Sequence, residues 1–251
     1  TNIVRLNVDG SPDTTFDPGA GANNAVNGVA IQNNGRVVLG GTFTAVNGVS
    51  RNFVARLNFD GTLDSTFDVG TGPDAQVRVV AALTDGKILI AGDFSSVAGV
   101  TSHRIARLNG DGTVDPTFAP GAAITNGTVF TLAVQVNGQI LVGGAFTTTN
   151  GVARTNLMRL NANGSLDPTF NPGSGPDDFV SSVTLQADGK VLVGGAFVNF
   201  SGYSRSRIVR LDGNGVVDPT VNFGTAADNL VAAVAVQGDG HHFEAVIVSP
   251  A

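Results

Sequence analysis

The sequence predicts an all-β fold, a five-bladed β-propeller of four-stranded repeats. Three observations carry this: one unit recurs five times, each unit holds two hairpin-type turns, and the composition suits turns and strands rather than helices. Arg-Leu-Asn begins at Arg5, Arg56, Arg107 and Arg159, and Arg-Leu-Asp at Arg210, at spacings of 51, 51, 52 and 51. Four short strands in a period near 50 residues are the mark of propeller blades. The chain has 251 residues, 42% of them hydrophobic and only 14% charged, with 34 Gly and 10 Pro. Of its 20 acidic residues, all but Glu244 are Asp. Long helix formers are scarce, and residues that favour turns abound.

Each unit can be read strand by strand, with strands a to d in chain order. The first turn follows the Arg-Leu-Asn tripeptide, at Asp9-Gly10, Asp60-Gly61, Asp111-Gly112, Asn163-Gly164 and Asn214-Gly215. The second lies 25 or 26 residues later, at Asn34-Gly35, Asp85-Gly86, Asn137-Gly138, Asp188-Gly189 and Asp239-Gly240. Asn-Gly and Asp-Gly between apolar runs predict type I′ hairpins, because both central residues need positive φ. In the second unit strand a is expected near 77–83, b at 87–94, c at 104–109 and d at 113–118. Strand b ends in Gly-Gly-x-Phe or a near match, as at Gly40-Gly41-Thr42-Phe43 and Gly194-Gly195-Ala196-Phe197. Small residues there would let sheets approach closely while the Phe fills the space between them. The sequence opens on strands c and d (3–7, 11–16) and stops after a and b (230–237, 243–249). The two ends are therefore expected to complete the fifth blade of one propeller domain spanning 1–251. A chain opening in mid-repeat also suggests a processed product or an excised domain.

The run Arg159-Leu160-Asn161 through Asp167-Pro168-Thr169-Phe170, then Gln186-Ala187-Asp188-Gly189-Lys190-Val191-Leu192-Val193-Gly194-Gly195-Ala196-Phe197, resembles the bacterial delta-60 repeat β-propeller family. The resemblance extends over nearly the whole chain and fades at 241–251. It implies a large secreted or surface-attached bacterial protein and supplies no active site to carry over.

Charge excludes some functions. The net charge is −6 and no Lys/Arg run occurs, so nothing offers nucleic-acid phosphates a basic stripe. No apolar stretch reaches membrane-span length. Cysteine is absent, which removes disulfides, thiolate metal sites and Cys nucleophiles. His103, His241 and His242 recur with no Ser or carboxylate at a suggestive spacing, and no phosphate loop or dinucleotide fingerprint is present. An enzyme is not expected.

The tight a–b and c–d turns should share one face, leaving the longer connections on the other. These are the d–a segments 17–24, 68–76, 119–128 and 171–179, and the b–c segments 44–51, 95–103, 147–154 and 198–205. Loops on a rigid scaffold are the usual place for binding residues. Asn47, Asn150, Tyr203 and Arg205 lie in the b–c segments and are the candidate ligand-binding residues. The repeated Asn-x-Asp-Gly-x-x-Asp also offers oxygens to Ca²⁺ at Asp9, Asp13, Asp60, Asp64, Asp111 and Asp115. Turn chemistry accounts for the same residues without metal, so no cofactor is expected. The Arg of each Arg-Leu-Asn and the later Asp fall on adjacent strands, where pairing would be structural. The function expected is a non-catalytic, multivalent, secreted or cell-surface module that binds a glycan or other surface polymer. A structural spacer contacting neighbouring domains of a larger protein is the rival; an enzyme with its site at a channel mouth is the third.

Overall fold

The computed structural model describes residues 2–121, 124, 126–149, 152–224, 227–236 and 243–247. The chain is all β, and it divides into two compact units, 1–118 and 119–251. The first unit holds β1 (Val26–Ile31), β2 (Val37–Gly41), β3 (Ala45–Val46), β4 (Val49–Ser50) and β5 (Val54–Leu57). It continues with β6 (Val77–Ala82), β7 (Ile88–Gly92), β8 (Ser96–Val97), β9 (Val100–Thr101) and β10 (Ile105–Leu108). Two antiparallel blades result, β1-β2-β5 and β6-β7-β10, with β3-β4 and β8-β9 as small hairpins. The second unit holds β11 (Thr128–Val134), β12 (Ile140–Thr149), β13 (Val152–Leu160), β14 (Val180–Leu185) and β15 (Val191–Gly195). After them come β16 (Asn199–Phe200), β17 (Tyr203–Ser204), β18 (Ile208–Leu211), β19 (Val231–Val236) and β20 (Phe243–Ile247). Its sheets are β11-β12-β13, β14-β15-β18 and β19-β20, with the β16-β17 hairpin beside them.

Strand b is central in each three-stranded sheet and is covered on both faces. That is why β2, β7 and β15 read as unbroken apolar runs and are buried at every residue. The Gly-Gly pair at the end of b serves two separate contacts. A Cβ on Gly40 would stand 2.5 Å from Val77 and 2.7 Å from Val80 of the next blade, and Gly143 and Gly194 repeat this against Val180 and Val231. The second glycine is tighter, since a Cβ on Gly41, Gly92, Gly144 or Gly195 would collide with a backbone carbonyl at the start of strand a, that of Ala25, Gln76, Thr128 or Phe179. Phe43, Phe94, Phe146 and Phe197 fill the space beyond, all at 2% exposure or less.

Three sequence expectations need correction. The Asp/Asn-Gly turns among the described residues are not type I′: only the Gly has positive φ, as at Gly35 (79°) and Gly61 (91°), while Asp239-Gly240 lies outside the described residues. Gly61 N donates to Asn58 O and Asn58 N to Thr62 O, the pattern of a type I turn closed by a left-handed Gly. Strand d is a single bridge, as at Leu57↔Leu63 and Leu108↔Val114, after which the chain curls away. The curl is driven by Asp64, whose Oδ1 accepts from Thr66 N (2.9 Å) and Thr66 Oγ1 (2.6 Å). The d–a connections are not loops of one face. Asp68 N donates to Asp111 O at the next c–d turn, and Pro73 bridges Val97 at the next b–c hairpin. The connection is thus a strap running from one end of strand c to the other, whereas the 119–128 segment lies partly outside the described residues. The 17–24 and 171–179 segments do the same through Asp17–Asp60 and Asn171–Asn214, then Ala22↔Val46 and Pro176↔Phe200.

Candidate functional site

The b–c segments, read as loops, fold into hairpins that carry the type I′ turns expected elsewhere. Asn47 and Gly48 have φ of 51° and 74°, Ala98 and Gly99 of 49° and 79°, Ser201 and Gly202 of 48° and 82°. A carboxylate or amide from the strap caps each hairpin. Asp74 accepts from Ser95 N at 2.7 Å, Asp177 from Val198 N at 2.9 Å and Asn23 from Thr44 N at 2.9 Å. Burial works to raise the Asp74 carboxyl, but these bonds outweigh it and hold it at about 2. The residue after each turn Gly projects outward: Val49, Val100 and Tyr203 are 45%, 49% and 53% exposed.

Asn47 is held in the scaffold, its Oδ1 accepting from Gly21 N at 2.9 Å. Ser201 takes the same place in its repeat, accepting from Gly175 N and donating to Pro172 O. Asn150 lies outside the described residues. Tyr203 and Arg205 do come together: the guanidinium sits 5.4 Å from the ring centroid and is itself almost buried. Arg51, Arg154 and Arg205 share one repeat position, and each encloses an Nε with no partner among the described residues.

The Arg and Asp of the repeat form a structural node. Nε–Oδ2 distances are 2.8 Å for Arg5–Asp13 and Arg56–Asp64, 2.7 Å for Arg107–Asp115 and Arg159–Asp167, and 3.0 Å for Arg210–Asp218. The guanidinium also stacks on the Phe of Asp-x-Thr-Phe, 4.7–4.9 Å from the centroids of Phe16, Phe67, Phe118 and Phe170. Its Nη1 reaches a carbonyl one repeat ahead, as Arg56 does to Gly110 O at 2.8 Å and Arg159 to Gly213 O at 2.6 Å. The six Asp considered for Ca²⁺ are engaged in this way. Asp9, Asp60 and Asp111 cap their turns through Ser11, Thr62 and Thr113, while Asp13, Asp64 and Asp115 serve the node. All six carboxyls are lowered. In Asp64 and Asp115 burial opposes the shift and is outweighed by Thr66 and Arg56 in one, and by Lys87, Thr117 and Arg107 in the other. Among the described residues no group of three potential metal ligands gathers.

One feature escaped the sequence reading. One repeat position is left-handed in four repeats, just ahead of β5, β10 and β18 and at the register shift within β13, with φ of 64° at Phe53, 66° at Arg104, 62° at Asn156 and 69° at Arg207. Arg104 and Arg207 reach back to the carbonyls of Asp93 and Ala196, just past the end of strand b. Asn156 is too short to do so. A cleft of about 240 Å³ opens in that repeat, lined by Asn126, Phe146, Thr147, Asn156, Asp178 and Phe179 among others.

The β-propeller domain of unknown function DUF5122 matches residues 1–16, 32–67, 83–118, 135–170 and 186–220. No curated protein matches the chain. Among solved structures it is similar to the extracellular domain of the putative one component system BT4673 from B. thetaiotaomicron, at TM-score 0.54 and 18% identity. That match covers 92% of this chain and 26% of the other, so the chain spans about a quarter of that relative. The WD40 β-propeller domain of Doa1 is similar at TM-score 0.51 and 15% identity, over 86% of this chain and 74% of that one. The five matched segments each run into an Asp-x-Thr turn, the strand-and-node unit described above, and the chain belongs to the DUF5122 β-propeller family.

Proposed function

We propose that the chain is a non-catalytic binding module of a secreted or cell-surface bacterial protein, holding a glycan or other surface polymer through its b–c hairpins. The carrying observation is that Val49, Val100 and Tyr203 stand outward at one position of equivalent hairpins whose backbones are pinned by caps and straps. Repeated shallow contacts of this kind gain affinity by multivalency, since later contacts form at high effective concentration. Tyr203, backed by Arg205, offers an aromatic ring with a polar hydroxyl, the amphipathic surface on which a sugar ring stacks. The extracellular origin of the BT4673 domain supports the secreted reading.

Every shifted Asp among the described residues is lowered, whereas a general acid at neutral pH needs a raised one. The reading is tested on a glycan and polysaccharide array, with calcium and with chelator, comparing the wild type with Tyr203→Ala. Binding that weakens in Tyr203→Ala supports it. A blank array in both conditions overturns it and favours the structural spacer, a role consistent with so many polar side chains being engaged internally.

A further inference from the structure

The third repeat breaks the pattern of its neighbours, and it does so at a cavity. In the second and fourth repeats the side chains of Arg104 and Arg207, just ahead of strand c, reach the carbonyls of Asp93 and Ala196, just past the end of strand b. Asn156 replaces them. Its Oδ1 accepts from Phe146 N at 2.9 Å, which fixes the orientation of the amide. The residue is only 8% exposed, yet its Nδ2 has no partner among the described residues and the side chain lines the cleft. A left-handed Asn held by one hydrogen bond thus leaves its amide nitrogen as a donor open to the cleft.

The rest of the lining completes a chemical description. Asp178 accepts from Phe179 N through Oδ1 alone, so Oδ2 remains an acceptor at the cleft. Asp177 is taken up in capping Val198 and Asn199, and Asn126 in bonding Thr147. Phe179, partly exposed and packed edge-on against Phe130 at 5.6 Å, supplies an aromatic wall. Among the described residues no Lys, Arg or His lines the cleft. A donor, an acceptor and an aromatic wall suit a polyhydroxylated ring, whose hydroxyls both donate and accept while its C–H face is apolar. The volume lies below the range of about 300–1,000 Å³ for drug-sized ligands and fits one ring rather than several. Two carboxylates on the wall and a chain charge of −6 disfavour an acidic sugar.

We propose that this cleft, where Asn156 stands in the place of Arg104 and Arg207, is a monosaccharide subsite selective for a neutral or amino hexose over a uronic acid. The proposal rests on the glycan-binding reading above and specifies where one residue of the polymer sits. The Asn156 amide and Asp178 carboxylate orient the ring, and Phe179 covers its apolar face.

The test is saturation-transfer NMR with methyl glucoside, methyl galactoside, N-acetylglucosamine, glucosamine and glucuronate as probes. It is run on the wild type, Asn156→Arg and Asp178→Asn, each checked for an unchanged melting temperature. Asn156→Arg installs the residue that the second and fourth repeats already carry at this point, so the backbone is known to accept it. At least one neutral or amino sugar is expected to give transfer in the wild type. The same sugar should bind at least tenfold more weakly in Asn156→Arg and measurably more weakly in Asp178→Asn, with glucuronate silent. Sugar binding unchanged in Asn156→Arg, preferential binding of glucuronate, or silence from every probe would overturn the subsite. Silent monosaccharides with an array that remains positive would remove the subsite and leave the hairpin reading standing, whereas silence in both assays removes the two together.

Discussion

Replacing Arg56 by Met should cost the protein far more than the same change at Arg5, although the two residues perform the same task in successive repeats. Arg56 and Asp64 are each 3% exposed at the side chain, while Arg5 and Asp13 are 27% and 19% exposed. In Arg56→Met the Asp64 carboxylate keeps its two bonds from Thr66 but loses the 2.8 Å Nε partner, and only Arg36, at 3.5 Å, stays near. The 2.8 Å bond to Gly110 O and the stacking on Phe67 disappear as well. Removing one partner of a buried pair typically costs about 3–5 kcal/mol, because the other charge stays buried without compensation. At about 2–4 °C per kcal/mol for a chain of this length, the melting temperature should fall by about 6–20 °C. At Arg5 water replaces much of what is lost, so the fall should be a small fraction of that. Thermal unfolding followed by circular dichroism at neutral pH measures both. The deficit of Arg56→Met should also shrink below about pH 4, where protonation of Asp64 abolishes the contribution that its lowered carboxyl makes in the wild type. Equal losses at the two positions, or a loss at Arg56 below about 1 kcal/mol, would refute the assignment of the node as a buried, burial-dependent staple.

Four further substitutions test the same geometry. Gly41→Ala should destabilise strongly, near or beyond the upper end of the roughly 1–3 kcal/mol of ordinary overpacking, because its Cβ meets the Ala25 carbonyl oxygen. Gly40→Ala should cost less, since it presses only on Val77 and Val80 side chains and the second repeat carries Ala91 there; chemical denaturation of both variants ranks them. Asn47→Ala should lose about 1 kcal/mol for the Gly21 bond while keeping its hairpin, as Ala98 does in the next repeat, and chemical denaturation measures the loss. Asp74, held at about 2, contributes stability that is fully present above about pH 4 and is lost as pH falls toward 2. Asp74→Asn should therefore flatten the acid limb of a stability–pH curve, and an unchanged limb would contradict the capping role.

What could be read in the sequence, and what could not, divides along one physical line. The Arg-Leu-Asn period, the Gly-Gly-x-Phe at the end of strand b and the Arg–Asp pairing are fixed by side-chain identity repeated in register, and the structure contains them as expected. The turn types were not legible, because Asn-Gly serves both a type I′ turn and a type I turn closed by a left-handed Gly; only the φ of the residue before Gly separates them. Asn47-Gly48, between Ala45-Val46 and Val49-Ser50, carried the hairpin signal in plain view, but Ala98-Gly99 and Ser201-Gly202 conceal it, and the segment read as a loop. Strand d vanished for a related reason: Asp-x-Thr reads as strand by pattern, yet its side chain bonds its own backbone and curls it.

The same line explains why the cleft at Asn156 was invisible. Phe53, Arg104, Asn156 and Arg207 share a left-handed backbone but no chemistry, so nothing in the letters marks the position as special. The departure acquires meaning only when the crossing side chains of Arg104 and Arg207 show what Asn156 fails to fill. In a repeat protein the recurring residues are those that hold each blade to the next, as the node and the glycines do here. A position where the backbone is kept under strain while its side chain is shortened serves no such purpose, and that is why the singular Asn156, rather than any residue of the repeated motif, is where selectivity for a particular ligand should be sought.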